Sequence, residues 1–387
     1  MAVAIYGGSF NPPHIGHVHV ANAVWANFDP RRFLVIPAGI PPHKEMAEHS
    51  ATNEERMQMC RLAFGEGDGL IVSDMEMLRE GKSYTSDTIR QVQKLYPFES
   101  EILLVMGTDM FMTLDTWHEA GFILETVHVV VVVRDEERTL LRKKALEYAK
   151  MYHTRTTIIA QQPVPAASSD LRELLRQRKG SELLPEAVYD YIARHRIYGA
   201  KPQWEWLRQQ AYAMLKPKRI AHVKGCEEEA LRLARRWGAD EEEAAEAAIL
   251  HDITKKLNLK EQLILCEKYG IIPDTLERNS EKLLHSKTGA AIAAEGFGVS
   301  EAVSEAIKWH TTGKPDMTLL EKIIYMADYI EPNRDFEGVD KLRELAYTDL
   351  DAAMVLGFEM SLADLATYGV PPHPSTLEAL DFYRRDE

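Results

Sequence analysis

The stretch AVAIYGGSFNPPHIGH, residues 2–17, places a short apolar run directly before two glycines, a serine and two histidines. An apolar strand that ends in glycines and leads into a helix is typical of the first strand and turn of a doubly wound α/β domain. In such a fold, the turn and the helix N-terminus present backbone N–H groups that bind phosphate. The stretch therefore predicts a phosphate-binding turn at residues 7–17.

The rest of the N-terminal half alternates further apolar runs with segments of helical period. Continuous apolar strands are expected when helices cover both faces of a parallel sheet. We therefore predict an α/β domain built on a doubly wound, Rossmann-like parallel sheet. The further runs are RFLVIPAG (32–39), LIVSDM (70–75), EILLVMG (101–107), HVVVVVR (128–134) and RTTIIAQQ (155–162).

The pattern changes after RIYGAKPQW, residues 196–204. The remaining sequence contains no convincing strand and many helix-period segments, such as EEEAAEAAILHD (241–252), so we predict an all-α second half. At 387 residues the chain is longer than a single core usually is. Glycine and proline residues lie where the strand pattern gives way to the helical pattern, and we place the domains at 1–199 and 200–387.

Composition and charge exclude several classes of protein. The formal net charge of −14 argues against a nucleic-acid partner, because no basic surplus can release counterions from a phosphate backbone. The three cysteines lack CxxC spacing, which argues against a disulfide framework or a zinc ribbon and fits a reducing cytoplasm. No apolar run approaches membrane-spanning length. We expect a cytoplasmic protein without a membrane partner, and a homo-oligomer stays open.

Two histidines in the opening stretch are candidates for phosphate chemistry. His14 and His17 can donate hydrogen bonds to phosphoryl oxygens, where charge grows during phosphoryl or nucleotidyl transfer. The plain alternative is a turn with a buried histidine. PPHK, which ends at Lys44, and ASSDLRELL (167–175) favour the phosphate site. Taken alone, they would fit an exposed lysine and a helix cap with a solvated arginine.

Several motifs in the N-terminal half together resemble one enzyme family. GGSFNPPHIGH, PPHK, SYTSDTIR, VMGTDMF, TWH, the strand ending at Arg134 and SSDLR follow one another in that order. Over residues 1–197 they resemble bacterial nicotinate-mononucleotide adenylyltransferase, of the HxGH nucleotidyltransferase superfamily. The resemblance implies transfer of AMP from ATP to nicotinate mononucleotide, giving deamido-NAD and pyrophosphate, with Mg²⁺ bridging the phosphates.

The resemblance also implies roles for individual residues. His14 and His17 would stabilise the α-phosphate of ATP during the attack. Thr85 and Trp117 would border the nicotinate ring, although a tryptophan at such a place can equally be a core residue. The serine motif departs from the family's pattern on both sides of its serine pair, which leaves open which serine contacts phosphate. The other residues implied for nucleotide binding are Gly7, Gly8, Ser9, Phe10, Lys44, Gly107, Asp109, Arg134, Ser168, Ser169 and Arg172.

The helical half contains four histidines and two aspartates that could form a metal site. Their spacing would bring them from different helices, as in metal sites of helix bundles. Imidazole and carboxylate ligands without thiolate favour Fe, Mn, Co, Ni or Zn over a structural zinc cage. Any one histidine could be an ordinary surface or core residue, but Asp328 interrupts an apolar helix face, where a buried charge needs a partner. The six are His222, His251, Asp252, His285, His310 and Asp328.

The motifs around these residues resemble an HD-domain metal-dependent phosphohydrolase. AHVKGC, ILHDITK, LLHSKTGA, KWHTTGKP and LLEKIIYMADYIEPNR are closest to the bacterial diadenosine tetraphosphate hydrolases that cleave symmetrically. This implies one metal ion, Fe or Mn, at His222, His251, Asp252 and Asp328, and a second at His285 and His310. Asp252 would be catalytic, and Lys255, Thr311 and Arg334 would contact substrate phosphate.

We therefore expect a bifunctional enzyme of nucleotide metabolism. Its substrates would be ATP, nicotinate mononucleotide and dinucleoside polyphosphates, with diadenosine tetraphosphate cleaved to two ADP. One alternative hypothesis has the same two folds but other substrates, for example an adenylyltransferase that acts on a pantetheine phosphate, joined to a nucleotidase. In another rival, the HD half is a non-catalytic regulatory module that keeps metal for stability.

Overall fold

The computed structural model describes residues 2–40, 50–67, 69–133, 138–160 and 167–384. By its internal contacts the chain divides into two units, Met1–Pro202 and Gln203–Glu387. A parallel sheet with surrounding helices forms the first unit, and helices form the described part of the second. The predicted fold class, α/β followed by all-α, is confirmed.

Six parallel strands form the sheet of the first unit, in the order β3-β2-β1-β4-β5-β6. The order reverses between β1 and β4, where Ile5 lies opposite both Leu34 and Leu104. In doubly wound sheets, ligands bind outside the carboxyl ends of the strands at this reversal. The strands are β1 (Ala2–Gly8), β2 (Arg32–Pro37), β3 (Leu70–Val72), β4 (Glu101–Met106), β5 (His128–Val133) and β6 (Arg155–Ala160).

Helices bury both faces of this sheet. Along β1, Val3 and Ile5 enter one apolar cluster, and the alternating Ala4 and Tyr6 enter another, so neither face is open to water. This burial explains why the strands are apolar without alternation. The helices are α1 (Ile15–Phe28), α2 (Asn53–Phe64), α3 (Thr85–Leu95), α4 (Thr108–Met112), α5 (Ala120–Thr126), α6 (Arg138–Tyr152), α7 (Ser168–Arg176) and α8 (Glu186–His195).

The second unit is a bundle in which α10 packs against α11 and α15, and α14 packs against α11, α13 and α15. None of the helices in the described ranges has the length and apolar character needed to cross a membrane. The helices are α9 (Trp204–Ala213), α10 (Ile220–Trp237), α11 (Glu241–Leu250), α12 (Leu259–Lys268), α13 (Glu281–Phe297), α14 (Glu301–Trp309), α15 (Leu319–Ile330), α16 (Val339–Thr348), α17 (Leu350–Thr367) and α18 (Pro374–Arg384).

Candidate functional site

The two histidines of the opening stretch lie together at the N-terminus of α1. His14 precedes the helix in an extended conformation, and its backbone N–H donates to Nδ1 of His17 at 3.1 Å. The proton of a neutral His17 ring is therefore on Nε2. The two ring centroids are 3.7 Å apart. Two imidazoles thus lie beside the helix N-terminus, beyond the carboxyl end of β1.

Burial keeps both rings neutral. It lowers the pKa of His14 to about 4. Burial, together with the neighbouring His14, holds the pKa of His17 well below its usual range. Nδ1 of His14 is buried and has no hydrogen-bond partner within the described residues. At neutral pH the pair can therefore act on a phosphate as N–H donors rather than as cations.

The turn before α1 places the ring of Phe10 against the ring of His17. Phe10 has a φ of 43° and is 1% exposed, and its ring meets that of His17 edge-on at 5.0 Å. A Cβ at Gly8 would lie 3.1 Å from this ring, so the close approach favours glycine. Since the Phe10 side chain is in the core, any contact between Phe10 and a ligand would come from its backbone.

The start of α7 is hydrogen-bonded to the same turn. Ser168 Oγ donates to the carbonyl of Pro12 at 3.1 Å, and Arg172 Nη1 donates to the carbonyl of Asn11 at 2.7 Å. Ser169 instead donates to its neighbour Asp170. The structure thus joins the two predicted phosphate motifs, which are far apart in sequence, and it distinguishes the two serines.

Replacement of the two serines should have different effects. Ser168→Ala leaves the Pro12 carbonyl without its donor and should destabilise the first unit by about 1 kcal/mol. Ser169→Ala is the matched control, because within the described residues its hydroxyl donates to the adjacent Asp170. Chemical denaturation measures the free energy of unfolding of both variants. A larger loss of stability for Ser169→Ala would show that the bond to Pro12 is unimportant.

The predicted adenosine residues lie at the neighbouring strand end. Gly107 follows β4 as the residue before α4, and a Cβ added there would meet no atom within 4 Å. Asp109 is exposed in the first turn of that helix. Because β4 pairs with β1, both residues follow the strand next to the histidine turn. Gly7, Gly8 and Ser9 end β1 or follow it, whereas Lys44 and Arg134 lie outside the described residues.

The predicted nicotinate-ring residues are on two segments that touch. Thr85 is the first residue of α3, and the preceding Tyr84 packs its ring on His118, with the ring centroids 4.3 Å apart. Trp117 is the adjacent residue and packs, partly buried, on the sheet core. Arg90 on α3 also forms a bidentate ion pair with Glu119, which joins the two segments. The segments that carry Thr85 and Trp117 are thus in contact.

Arg56, on α2, is a further residue of this site that the motifs did not predict. Its guanidinium is fully buried and donates to the carbonyls of Ser9, Ala38 and Gly39. These carbonyls belong to the turns after β1 and β2. No carboxylate pairs with Arg56 in the described part of the chain, and burial lowers its pKa. Arg56 therefore fixes both turns at the candidate site and places a buried positive charge behind them.

Arg56→Met should destabilise the first unit by about 2–3 kcal/mol, because it leaves several buried carbonyls unpaired. Arg61→Met is the matched control, since Arg61 is on the same helix with its side chain 47% exposed. Chemical denaturation followed by a probe in the first unit measures the difference. Equal stability of the two variants would contradict the role assigned to Arg56.

The six predicted metal ligands of the second unit lie together. Two residues are inside helices that pack against each other, His222 on α10 and Asp328 on α15. His285 is on α13. The helix α11 ends at Leu250, so the adjacent His251 and Asp252 lie in the turn that follows. His310 likewise follows the end of α14.

All four imidazoles point Nε2 toward the centre of this cluster. In each ring Nδ1 carries the proton, because it faces an oxygen that accepts: Glu331 Oε1 for His222, Ala248 O for His251, Lys282 O for His285 and Ile307 O for His310. The Nε2 atoms then face each other as lone pairs, at 3.4 Å for His222 and His251 and 3.0 Å for His285 and His310. Such an arrangement favours a bound cation.

The carboxylates are anionic. Asp252 is fully buried, and its Oδ1 has no hydrogen-bond partner in the described ranges. Burial alone would raise the pKa of Asp252, but His251, His285 and Lys255 outweigh it and hold the pKa well below its usual value. Burial alone would also raise the pKa of Asp328. The neighbouring His222, whose Nε2 lies 2.9 Å from Asp328 Oδ1, and His251 outweigh it and hold this pKa well below its usual value. The donor set therefore fits a divalent metal ion.

The imidazoles differ among themselves. Burial and the neighbouring His285 and His251 hold the pKa of His310 well below its usual value. Burial and Lys255 lower the pKa of His285. Burial opposes protonation of His251 too, but the adjacent Asp252 carboxylate outweighs it and raises the pKa. Most of the cluster is therefore already in the protonation state that binds a metal ion.

Positive side chains border the cluster. Lys255 Nζ lies 2.9 Å from His285 Nε2, and Thr311 Oγ1 lies 3.3 Å from His310 Nε2. Arg334 Nη2 donates to Asp328 Oδ1 at 2.8 Å. Arg219, which sequence analysis missed, donates to Asp252. Arg219 lies three residues before His222 on the same side of the chain, and this spacing could have predicted its contact with the cluster.

Two further residues contact His222 and were also missed. Glu331 is 1% exposed and accepts from His222 Nδ1, which fixes the orientation of the ring. Cys226 Sγ lies 3.3 Å from His222 Nε2. The motifs predicted a ligand set of imidazole and carboxylate without sulfur. In the structure Cys226 Sγ joins the group, because Cys226 is one helical turn after His222 on α10 and faces the same way.

Gly225 has no side chain and so leaves room for the Glu331 carboxylate that accepts from His222. A Cβ at this position would overlap Glu331 Oε2 and lie 3.0 Å from Asn333 Nδ2. Gly225→Ala should therefore displace Glu331, lower metal affinity about 10- to 100-fold and destabilise the unit by about 1–3 kcal/mol. Gly296→Ala is the control, because its Cβ would meet only Ile292 at an ordinary 3.7 Å. Metal titration and chemical denaturation measure both variants, and unchanged metal affinity in Gly225→Ala would contradict the role of Glu331.

The fold and the two clusters define a nucleotidyltransferase-like domain followed by an HD domain. The family described as cytidylyltransferase-like matches residues 5–174, and the HD domain family matches residues 219–333. The chain belongs to the nicotinate-nucleotide adenylyltransferase family over its N-terminal half and to the symmetrical bis(5′-nucleosyl)-tetraphosphatase family over its C-terminal half. Both resemblances found in the sequence are confirmed.

Individual relatives match one half each. A symmetrical bis(5′-nucleosyl)-tetraphosphatase of Bacillus subtilis is 41% identical over 177 residues, which are 44% of this chain and 93% of the relative. A probable nicotinate-nucleotide adenylyltransferase of Carboxydothermus hydrogenoformans is 32% identical over 198 residues, covering 51% of this chain and 97% of the relative. The solved structure of a predicted HD superfamily hydrolase involved in NAD metabolism, from Clostridium acetobutylicum, is 35% identical in sequence and covers 48% of this chain and 98% of its own, with a TM-score of 0.47.

Proposed function

We propose that the N-terminal half transfers AMP from ATP to nicotinate mononucleotide, giving deamido-NAD and pyrophosphate. The observation that carries this proposal is the pair of neutral histidines at the N-terminus of α1, which lies at the reversal of strand order. The hydrogen bonds of Ser168 and Arg172 to the same turn support it. The curated relatives that match this half carry the name of that enzyme.

The chemistry follows from donors in fixed positions. An oxygen of the mononucleotide 5′-phosphate attacks the α-phosphorus of ATP, a new P–O bond forms, and the bond to the bridging oxygen breaks to release pyrophosphate. The attacking phosphate is already an anion, so no protein base is needed. The N–H groups of His14 and His17 stabilise the charge that grows on the α-phosphate oxygens. Mg²⁺ bound to ATP would neutralise charge on its phosphates.

Competition between acceptors tests this half. The intact chain is given ATP with nicotinate mononucleotide, nicotinamide mononucleotide or a pantetheine phosphate, and pyrophosphate release is followed. We expect nicotinate mononucleotide to give the highest kcat/KM, because the resemblance assigns Thr85 and Trp117 to the nicotinate ring and the segments that carry them are in contact. A preference for the pantetheine phosphate would overturn the substrate assignment and keep only the nucleotidyltransferase class.

We also propose that the C-terminal half hydrolyses dinucleoside polyphosphates, with diadenosine tetraphosphate cleaved to two ADP. The observation that carries this proposal is the buried cluster of four inward-facing imidazoles and two anionic carboxylates. Fe or Mn held by these residues would supply an activated water and stabilise the attacked phosphoryl oxygens. His222, His251, Asp252 and Asp328 would hold one ion, and His285 and His310 the other.

The residues at the border of the cluster suit a polyphosphate substrate. Lys255 and Arg334 lie beside the cluster and supply positive charge where phosphate oxygens would lie. Thr311 offers a hydroxyl donor next to His310. Because a phosphoric anhydride chain is highly anionic, these side chains would hold it with one phosphorus facing the ions. Cleavage at the central anhydride bond adds one water and yields two identical products.

Ion-exchange chromatography of the products tests this half. The intact chain is loaded with Mn²⁺ or Fe²⁺ and given diadenosine tetraphosphate. ADP as the sole product supports symmetrical cleavage. AMP together with ATP would show asymmetrical cleavage and overturn the proposed reaction. No cleavage with either ion would favour a non-catalytic module or a different phosphohydrolase.

A further inference from the structure

A thiol lies inside the ligand cluster of the second unit. Cys226 is 1% exposed on α10, one turn after His222. Its Sγ is 3.3 Å from His222 Nε2. Ligand atoms of Cys226, His222, His251 and Asp328 all lie within 4.8 Å of one another. The sulfur therefore belongs to the group that surrounds one ion position.

The separations between these atoms match those around one metal ion. A metal–sulfur bond of about 2.3 Å and a metal–nitrogen bond of about 2.0 Å at a tetrahedral angle separate the two ligand atoms by about 3.5 Å. The observed sulfur–nitrogen distance is 3.3 Å, and Asp328 Oδ1 is 2.9 Å from the same nitrogen. The sulfur need move only slightly to complete such an ion's coordination.

Independent observations show that this place attracts a cation. His222 and His251 both carry their proton on Nδ1, so that two lone pairs face each other 3.4 Å apart beside the sulfur. Asp252 Oδ2 lies 3.8 Å from His222 Nε2 and 3.4 Å from His251 Nε2, so a second carboxylate faces the same place. Without a positive ion, the two imidazole nitrogens would face each other and these carboxylates as buried lone pairs.

We propose that Cys226 is a thiolate ligand of this metal centre and makes it select thiophilic ions such as Zn²⁺, Co²⁺ and Fe²⁺. When the ion binds, a metal–sulfur bond forms and the thiol proton leaves to solvent. Thiolate favours these ions, whereas carboxylate and water favour Mg²⁺ and Mn²⁺. The inference rests on the proposed metal-dependent function of the C-terminal half, and it adds a ligand and an ion preference.

The Cys226 thiol is buried on α10, and the Asp328 carboxylate belongs to the same group of ligand atoms. A metal ion at this position reverses the local charge and deprotonates a coordinating thiol. Cys60 and Cys266 are also buried, but neither belongs to a group of metal-ligand side chains in the described ranges. They therefore provide internal controls.

Titration of the metal-free full-length chain with Co²⁺ tests the proposal. Co²⁺ bound by nitrogen and oxygen absorbs in the visible range, and a cobalt–thiolate bond adds a charge-transfer band in the near ultraviolet. We expect both bands in the unmodified chain and in Cys266→Ala. Cys226→Ser and Cys226→Ala should keep the visible bands and lose the near-ultraviolet band. Their affinity for Co²⁺ and Zn²⁺ should fall about 10- to 100-fold, with a much smaller change for Mn²⁺.

Two results would overturn the proposal, and they are distinguishable. Visible bands without a near-ultraviolet band in the unmodified chain would mean that an ion binds and Cys226 only packs against His222. No bound Co²⁺ at all would remove both this inference and the proposed metal site. Diadenosine tetraphosphate turnover is measured on the same samples, so that a failure of the hydrolase assignment is seen separately from a failure of sulfur ligation.

Discussion

Asp252→Asn should lower the hydrolysis of diadenosine tetraphosphate about a hundredfold or more and leave adenylyl transfer unchanged. The side chain is fully buried, and its carboxylate faces the Nε2 atoms of His251 and His285 at 3.4 and 3.2 Å. Asparagine keeps the shape but removes the charge that would offset a divalent ion. Bound metal, measured by elemental analysis after gel filtration, should fall together with turnover.

An exposed aspartate in the same unit gives the matched control. The side chain of Asp340, on α16, is 93% exposed, so Asp340→Asn should leave both turnover and bound metal unchanged. If Asp252→Asn kept full turnover, the cluster could not be the hydrolytic centre. A variant that kept its metal but lost turnover would assign Asp252 to the chemical step rather than to metal binding.

His17→Ala should lower the kcat of adenylyl transfer about 10²- to 10³-fold and change KM little, because its N–H donor acts on charge that develops in the transition state. The ring is oriented by the His14 backbone N–H and supported by Phe10, so the donor is already in position before substrate binds. Pyrophosphate release under saturating and limiting ATP separates kcat from KM.

His19→Ala is the matched control, since His19 is exposed on the same helix. It should transfer AMP at nearly the unmodified rate. A kcat of His17→Ala within tenfold of the unmodified chain would rule out direct stabilisation of the transition state by this ring. A loss confined to KM would mean that His17 binds ATP equally well in the ground state and in the transition state.

The six strands and the change to helices could be predicted because burial on both faces leaves a strong local signal. Strand β5, for example, is buried from His128 to Val133 and reads as an unbroken valine run. The sequence indicates the ends of helices less clearly than it indicates buried strands. The alanine-rich segment before His251 gave no indication that α11 stops at Leu250, and this stop places the His–Asp pair in a turn.

The residues that sequence analysis missed owe their importance to contacts across long sequence separations. Arg56 occurs in NEERMQMC, which has the composition of a solvated helix, and it is buried because the turns after two strands close over it. Glu331 lies more than a hundred residues from His222, and only the packing of α10 against α15 brings them together. Cys226, in contrast, has a local signal in its spacing from His222.

Parallel assay of the intact chain, His17→Ala and Asp252→Asn in both reactions tests the central claim most directly. The three proteins are prepared alike, loaded with Mn²⁺ and assayed for pyrophosphate release and for ADP formed from diadenosine tetraphosphate. The account predicts that the intact chain performs both reactions, that His17→Ala loses only the first, and that Asp252→Asn loses only the second. An intact chain that lacks either reaction, or a variant that loses both while still folded, would contradict it.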